Sequence, residues 1–184
     1  VRSVMLDALS LDPGNPRILD SLGRVSRWGA AIPERTNQER EASRADALRY
    51  LRASLERRPT SAFTWANLAL EKFSSDEYDE EFEHALRMAS FFGPWLPSVQ
   101  LSVANAGLGA WFYLVENDTR DAVRETLTRG LTWPDTDPRS ERHVGQLLRV
   151  AGHYRREEVV CGWGIDDARV SEWCKVAMEV RGEE

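Results

Sequence analysis

The sequence predicts an all-α protein in which antiparallel helix pairs stack on one another. Three prolines, Pro13, Pro59 and Pro94, each follow a helical run that contains alanine and leucine, and each precedes a new helix. Recurrence over about 30 to 50 residues is typical of helical solenoids. No segment shows sustained alternation of apolar and polar residues with a period of two, so strands are not expected.

The new helices also begin with similar side chains at similar offsets. In the first two, a bulky residue is followed three residues later by leucine and then by a tiny residue. A tiny residue at a helix crossing allows the two helices to approach closely. The residues are Leu19, Leu22 and Gly23 in the first helix and Trp65, Leu68 and Ala69 in the second.

Turn and capping residues divide the first half of the chain. A helix is expected over 2–9, and Asn15 can cap the next one, over 16–31, with a proline at its first position. The charged segment 34–44 is expected to be a protruding, solvated helix end that leads into an amphipathic helix.

The second half is divided in the same way. The acidic residues between Asp76 and Glu83 suit the positive end of the helix that they open. A calcium loop is not expected there, because its alternating oxygen ligands and its glycine are missing. The expected helices are 61–73, capped by Thr60 or Ser61; 76–92, opened by Asp76 or Glu77; 98–115; 119–131, capped by Asp118; 138–160, after Asp137; and 167–180.

The pattern over residues 1–134 resembles the tetratricopeptide (TPR) family, whose repeats are helix–turn–helix units of about 34 residues. The resemblance implies a TPR-like superhelix of about three degenerate repeats, with 135–184 as a C-terminal helical hairpin that caps the same domain. Three features depart from the family. The array starts with an incomplete repeat and carries an insertion near 33–44, and Gln100 stands where tryptophan is usual.

A narrower resemblance covers the block from Pro59 to Leu131. The segments that carry it are Arg58-Pro59, 65–70, Asp79 with Glu81-Phe82, and 92–100. They are similar to the membrane-anchored, TPR-like VpsP-like proteins encoded with bacterial exopolysaccharide biosynthesis and exosortase systems. That similarity implies a scaffolding role, an anchor upstream of this chain and an extracytoplasmic domain, so the bacterial envelope is favoured over the cytoplasm.

Composition narrows the function classes. A formal net charge of −6 disfavours nucleic acid as a partner. No run approaches the roughly 18 apolar residues needed to span a bilayer. The chain begins with Val1 rather than Met, which fits either a trimmed start or the removal of a signal or anchor that lay upstream.

The two cysteines, Cys161 and Cys174, flank a turn-like segment at 162–167. If the chain forms a helical hairpin there, the two sulfurs can face each other and form a disulfide worth roughly 3 kcal/mol. Two buried free thiols are the alternative, since cysteine is among the most buried residue types. Their spacing does not match zinc ligands.

No catalytic or metal-binding motif is present in the sequence. The histidines, His84, His143 and His153, lack the spacings that metal sites on one helix require. Nucleophile elbows, P-loops and dinucleotide-binding glycine patterns are absent as well. We therefore expect a protein that is not an enzyme and that needs no cofactor and no metal.

The expected function is protein–protein interaction. The TPR resemblance implies a groove, lined by the first helix of each repeat, that takes an extended peptide or a partner helix. Trp28, Phe63 and Phe73 would bury the partner segment, while Arg17, Arg24 and Asn67 would orient it. The candidate binding residues are Arg17, Asp20, Arg24, Trp28, Phe63, Asn67, Leu70, Phe73, Ser102 and Asn105, with Ser21, Ser98 and Leu101 beside them.

Two alternatives remain open for the tryptophan-rich surfaces. A homodimer interface could form at Trp95 and at Trp111-Phe112-Tyr113. Alternatively, an exposed Trp95, Trp111 or Trp133 could stack on sugar rings, which would make the protein a carbohydrate-binding module. Sugar stacking requires exposed rings, so burial of a tryptophan would argue against that role for it.

Overall fold

The computed structural model describes residues 1–181, and within them the chain forms helices and turns and no strand. The predicted all-α class is confirmed. None of the described helices is both long enough and apolar enough to cross a membrane. The α-helices are α1 (Arg2–Leu11), α2 (Pro16–Ala30), α3 (Asn37–Arg57), α4 (Ala62–Ser74), α5 (Glu80–Phe92), α6 (Pro97–Val103), α7 (Asn117–Leu131), α8 (Ser140–His153), α9 (Glu157–Cys161) and α10 (Ala168–Arg181).

The helices pack as successive pairs. α2 lies along α3, and α4 lies along α5, in the two most extensive helix contacts of the described chain. The pairs then stack, because α4 packs against α6, α5 against α7, and α6 against α8. Helices α2, α4, α6 and α8 therefore follow one another on one side of the molecule.

Two clusters of apolar side chains form the core. The larger runs from α3 to α10 and contains Leu51, Phe82, Leu108 and Leu127, all with 1% exposure or less. The smaller lies at the N-terminal end, around Leu22. A core of this shape extends along the stack, so each helix pair depends on its neighbours for burial.

Close approach of helices at small residues is observed where the sequence predicts it. A Cβ placed on Gly23 in α2 would lie 2.7 Å from Cγ of Leu51 in α3, which is too close for a real contact. Gly107 is equally restricted, since a Cβ there would lie 2.7 Å from a methyl group of Val123 in α7. Glycine at these two positions sets how near the paired helices can lie.

The predicted caps Asn15 and Ser61 are confirmed. The Asn15 side chain accepts hydrogen bonds from the backbone N–H groups of Arg17 and Ile18, and the Ser61 hydroxyl accepts one from Thr64. Thr36 and Glu39 form a reciprocal capping box that begins α3. The charged segment up to Arg44 is thus the first part of one long helix.

Two predicted starts are wrong. Helix α5 is capped by Asp79, and neither Asp76 nor Glu77 opens it. Helix α7 begins at Asn117, so Asp118 lies in its first turn and does not cap it. The buried Glu83 carboxylate of α5 instead accepts hydrogen bonds from the N–H groups of Val115 and Glu116, which lie just before α7.

Two predicted long helices are interrupted. The expected helix 98–115 is α6, followed by a π-helical turn at Ala104–Leu108 and a 3₁₀ turn at Trp111–Tyr113. The expected helix 138–160 ends at His153 and resumes as α9. Arg155 has a positive φ of 54°, a value that no α-helix residue adopts.

The C-terminal hairpin is cross-linked. The structure joins Cys161 of α9 to Cys174 of α10 by a disulfide. Arg169, near the start of α10, bonds to several other residues. Its guanidinium pairs with Asp135 and Asp167 and donates to the carbonyl oxygen of Trp133. Helix α10 is thereby attached to α9 and to the loop that follows α7.

A buried lysine joins α4 to α5. The Lys72 side chain is 1% exposed, and its ammonium lies 2.9 Å from Glu77, 2.9 Å from Asp79 and 3.0 Å from Glu81. Burial lowers the pKa of Lys72, but hydrogen bonds with Asp79, Glu77 and Glu81 outweigh it and raise the pKa to about 12. Hydrogen bonds from Arg52 of α3 are the main reason that the pKa of Glu81 falls to about 2.

We expect Lys72→Met to destabilise the protein by about 2 to 4 kcal/mol, because it leaves three neighbouring carboxylates without their buried cation. Urea unfolding followed by circular dichroism at pH 7 measures the loss. Lys175→Met on the exposed face of α10 is the matched control and should change stability by less than about 0.5 kcal/mol. Equal midpoints for the two variants would contradict a stabilising role for this cluster.

Candidate functional site

A cavity of about 550 Å³ opens between α2, α4 and the start of α6. Most of the residues that line it are polar, and Phe63 and Leu70 supply the largest apolar side chains. The helix starts help to shape it, since the Ser54 hydroxyl of α3 donates to the carbonyl oxygen of Pro16 at 2.8 Å. The lining residues are Pro16, Arg17, Asp20, Ser21, Arg24, Arg27, Ser54, Arg58, Ser61, Phe63, Thr64, Ala66, Asn67, Leu70, Ser98 and Ser102.

Most of the predicted binding residues meet in this cavity. They lie on three helices that are separate in sequence, as expected for the first helices of successive pairs. Those brought together are Arg17, Asp20, Ser21 and Arg24 from α2, Phe63, Asn67 and Leu70 from α4, and Ser98 and Ser102 from α6.

Four of the residues expected at or beside the site lie elsewhere. Phe73 packs into the core, with its ring 5.8 Å from that of Tyr154, so it cannot bury a partner segment in the cavity. Trp28 is 56% exposed beyond the cavity, with the Arg24 guanidinium 5.5 Å from its ring. Asn105 and Leu101 line a different cavity, between α6 and α8.

Asn67 and Asp20 face each other across the cavity. The Asn67 amide donates to Oδ1 of Asp20 at 3.3 Å, which connects α4 to α2. Asp20 is the one carboxylate among the described lining residues, and its Oδ1 accepts that bond. An entering ligand therefore meets mainly donors from arginine and hydroxyl groups, and Asn67 is shared with Asp20.

Sequence reasoning missed several lining residues. Arg27 follows Arg24 by three positions and so shares its helix face, a signal that the sequence did contain. Arg58, which is part of the narrower resemblance, also lines the cavity. Ser54, Ser61 and Thr64 reach the cavity through the packing of α3 against α2 and α4, which spacing along the chain does not reveal.

A buried acid lies behind the arginines. Glu71 of α4 is 1% exposed, and neither of its carboxylate oxygens has a hydrogen-bond partner. Burial raises its pKa to about 7, against the attraction of Arg27 and Arg44, while Glu77 raises it further. Burial likewise lowers the pKa of Arg27, whose Nε also lacks a partner. The two side chains thus attract each other electrostatically, but no hydrogen bond joins them directly.

The chemistry of the cavity is that of a donor surface. Its lining contains no histidine and no cysteine. The described residues contain no cluster of three or more His, Cys, Asp or Glu side chains that could hold a metal ion. His143 is a core residue, since its Nε2 lies 2.6 Å from Oε1 of Gln100 and burial lowers its pKa.

We expect Glu71→Gln to remove a pH-dependent loss of stability. The folded protein holds the Glu71 proton up to a pKa of about 7, whereas the unfolded chain releases it near the ordinary value of 4.5. Stability of the wild type should therefore fall as the pH rises through this window, by about 3 kcal/mol in total. The variant should escape that fall, so its advantage should grow between pH 4.5 and pH 8.

Denaturant unfolding at a series of pH values measures this difference. Glu41→Gln, which alters an exposed carboxylate on α3, serves as the control and should follow the wild-type pH dependence. A Glu71→Gln curve that stays parallel to the wild-type curve over the whole range would show that Glu71 does not carry the effect.

Comparison of the chain with protein-family models, with curated proteins and with solved structures finds no match. Membership of the TPR family thus stays a prediction. The all-α architecture and the cavity on the side of α2, α4 and α6 are the firm findings on which a function can be argued.

Proposed function

We propose that the protein is a non-catalytic interaction module that binds an extended or helical segment of a partner protein in the cavity between α2, α4 and α6. The observation that carries this proposal is the meeting of residues from three helices around one opening of about 550 Å³. A site of this kind, with a few apolar anchors among many hydrogen-bond donors, suits a peptide better than a compact apolar ligand.

In this proposal, apolar and polar side chains contact different parts of the partner segment. Phe63 is 48% exposed and, with Leu70, offers apolar surface that a partner side chain can cover. Arg17 and Arg24 are exposed, so their guanidinium groups can pair with backbone carbonyls or carboxylates of the segment. Asn67 supplies an amide at the centre once its bond to Asp20 is exchanged.

The biological setting stays a prediction. A TPR-like superhelix and a role in exopolysaccharide biosynthesis or export at the bacterial envelope rest on the resemblances described above. The architecture is compatible with them, since pairs of helices stack in sequence and place their first helices on one side.

A carbohydrate-binding role is a second candidate, at a different surface. Phe91 is 73% exposed and lines a cleft of about 310 Å³ between α5 and α7. Trp95 is 70% exposed and follows Pro94, which also lines that cleft. The guanidinium of Arg129 lies 5.9 Å from the Trp95 ring and also lines that cleft. Trp111 and Trp133 are half-buried and pack against other rings, so they are poorly placed for stacking on a sugar.

Homodimerisation stays a prediction for the aromatic turn at Trp111–Tyr113. Phe112 and Tyr113 are 71% and 61% exposed, whereas Trp111 packs against the core. Tyr113 also stacks on Tyr78, with ring centroids 4.6 Å apart. One exposed ring and one ring that is already stacked offer less surface than the sequence suggested.

Selection from a phage-displayed library of 12-residue peptides tests the proposed function. We expect enriched peptides to bind the purified protein, and we expect Phe63→Ser or Arg58→Gln to weaken binding by about tenfold, since each removes a contact worth about 1.4 kcal/mol. Fluorescence anisotropy with labelled peptides gives the affinities.

Arg57→Gln is the matched control for Arg58→Gln, because Arg57 precedes it in sequence but does not line the cavity. Its affinity should equal that of the wild type. Failure to enrich any peptide, or peptides whose affinity ignores both cavity variants, would rule out this cavity as the binding site. Binding of an added oligosaccharide that is lost when Trp95 is replaced would favour the carbohydrate role.

A further inference from the structure

A second cavity adjoins the first across helix α6. It measures about 370 Å³ and lies between α6 and α8. Ser98 and Ser102 face the first cavity, whereas Leu101 and Asn105 face the second, so the two openings share α6 as a wall. The α8 side of the second cavity is formed by Gln146, Arg149, Val150 and His153.

The charge of these two cavities is opposite to that of the whole protein. The chain carries 30 acidic and 24 basic residues. The lining of the first cavity nevertheless contains four arginines (Arg17, Arg24, Arg27 and Arg58) and one carboxylate, that of Asp20. The lining of the second contains Arg149 and His153 and no carboxylate. Positive charge is therefore concentrated along this side of the molecule.

Arg17, Arg24, Arg58 and Arg149 are exposed and have no ionic partner within the described chain. Arg27 differs from them, because it is partly buried and is attracted by the Glu71 carboxylate. None of the five forms a salt bridge with a described carboxylate, whereas Arg52, Arg87 and Arg169 elsewhere do. An unpaired guanidinium costs little while water covers it, but covering it with a neutral ligand leaves an uncompensated buried charge. Backbone carbonyls of a ligand can accept hydrogen bonds from these groups, but a carboxylate also compensates their positive charge and matches the planar guanidinium fork. An acidic ligand is therefore favoured.

Both cavities contain apolar side chains beside the cations. Phe63 and Leu70 lie in the first cavity, and Leu101 and Val150 lie in the second. A polypeptide can present both carboxylates and apolar side chains to such a surface, whereas an acidic polysaccharide has carboxylates without apolar branches. This favours a peptide as the occupant.

We propose that the partner segment is acidic and that it crosses α6 to occupy both cavities, with Arg149 as its anchor beside α8. This inference rests on the proposed function, and it adds the charge of the partner and a second contact region. Neighbouring helices lie about 8 to 10 Å apart, so crossing α6 takes about three residues of extended chain. A segment of about 12 residues is thus long enough for both cavities.

Two matched peptide libraries test the charge. Both are fluorescein-labelled and 12 residues long, with leucine or phenylalanine at every second position. The other positions hold aspartate or glutamate in the acidic library and asparagine or glutamine in the neutral one. We expect anisotropy titrations to show at least tenfold tighter binding of the acidic library at 50 mM NaCl, and a clear loss of that advantage at 500 mM NaCl.

Two variants of α8 test the second cavity. Arg149→Gln should weaken binding of the acidic library by about three- to tenfold, since it removes one charge-assisted contact. Arg142→Gln changes an exposed arginine of the same helix that lies outside the lining, so it should leave the affinity unchanged. Circular dichroism confirms that both variants are folded.

The outcomes separate this inference from the proposed function. Equal binding of the two libraries would overturn the acidic partner while leaving peptide binding intact. Equal affinities of the Arg149→Gln and Arg142→Gln variants would overturn the path across α6. Binding of neither library, together with failure of the phage selection, would remove the proposed function itself. Binding of an oligomer of uronic acid in place of peptide would overturn the polypeptide class.

Discussion

The close approach of paired helices at small side chains is the constraint on which the rest of the structure depends. Gly23 lies against Leu51, and a side chain there would separate α2 from α3. In α4 and α5, Ala69 and Ala89 are at most 1% exposed and allow similar proximity. Because α4 also packs on α6, any wider spacing within one pair would shift the next. The cavity between α2, α4 and α6 keeps its shape only while these distances hold.

Sequence reasoning succeeded where local signals determine the structure. Asn15 and Ser61 cap helices as predicted, and the proline-containing turns separate α1, α3 and α5 from the helices that follow them. The small residues predicted helix contacts correctly as well. Much of the candidate site could be placed because the TPR resemblance implied which positions of α2 and α4 face a groove, and residues three or four apart on one helix share a face.

The failures share a physical cause, which is that the deciding contact comes from a distant part of the chain. Phe73 has the spacing of a groove residue, but Tyr154 and the turn around Gly109 enclose it. Asp79 does cap α5, as expected of the acidic cluster, but nothing in the sequence indicated that Glu77, Asp79 and Glu81 also surround Lys72. Nothing in the sequence indicated that Arg149 lines a cavity, because its proximity to Asn105 depends on the packing of α8 against α6.

The cross-linked C-terminal hairpin makes the two ends of the stack differ in how firmly they are held. In stacked helical arrays, local opening begins at the end units, since these have one neighbour instead of two. Helix α1 contains no buried residue, whereas α10 is held by the bond between Cys161 and Cys174 and by the pairing of Arg169 with Asp135. Fraying is therefore easier at the α1 end than at the cross-linked end, and the backbone amides of α1 should exchange with solvent faster than those of α10.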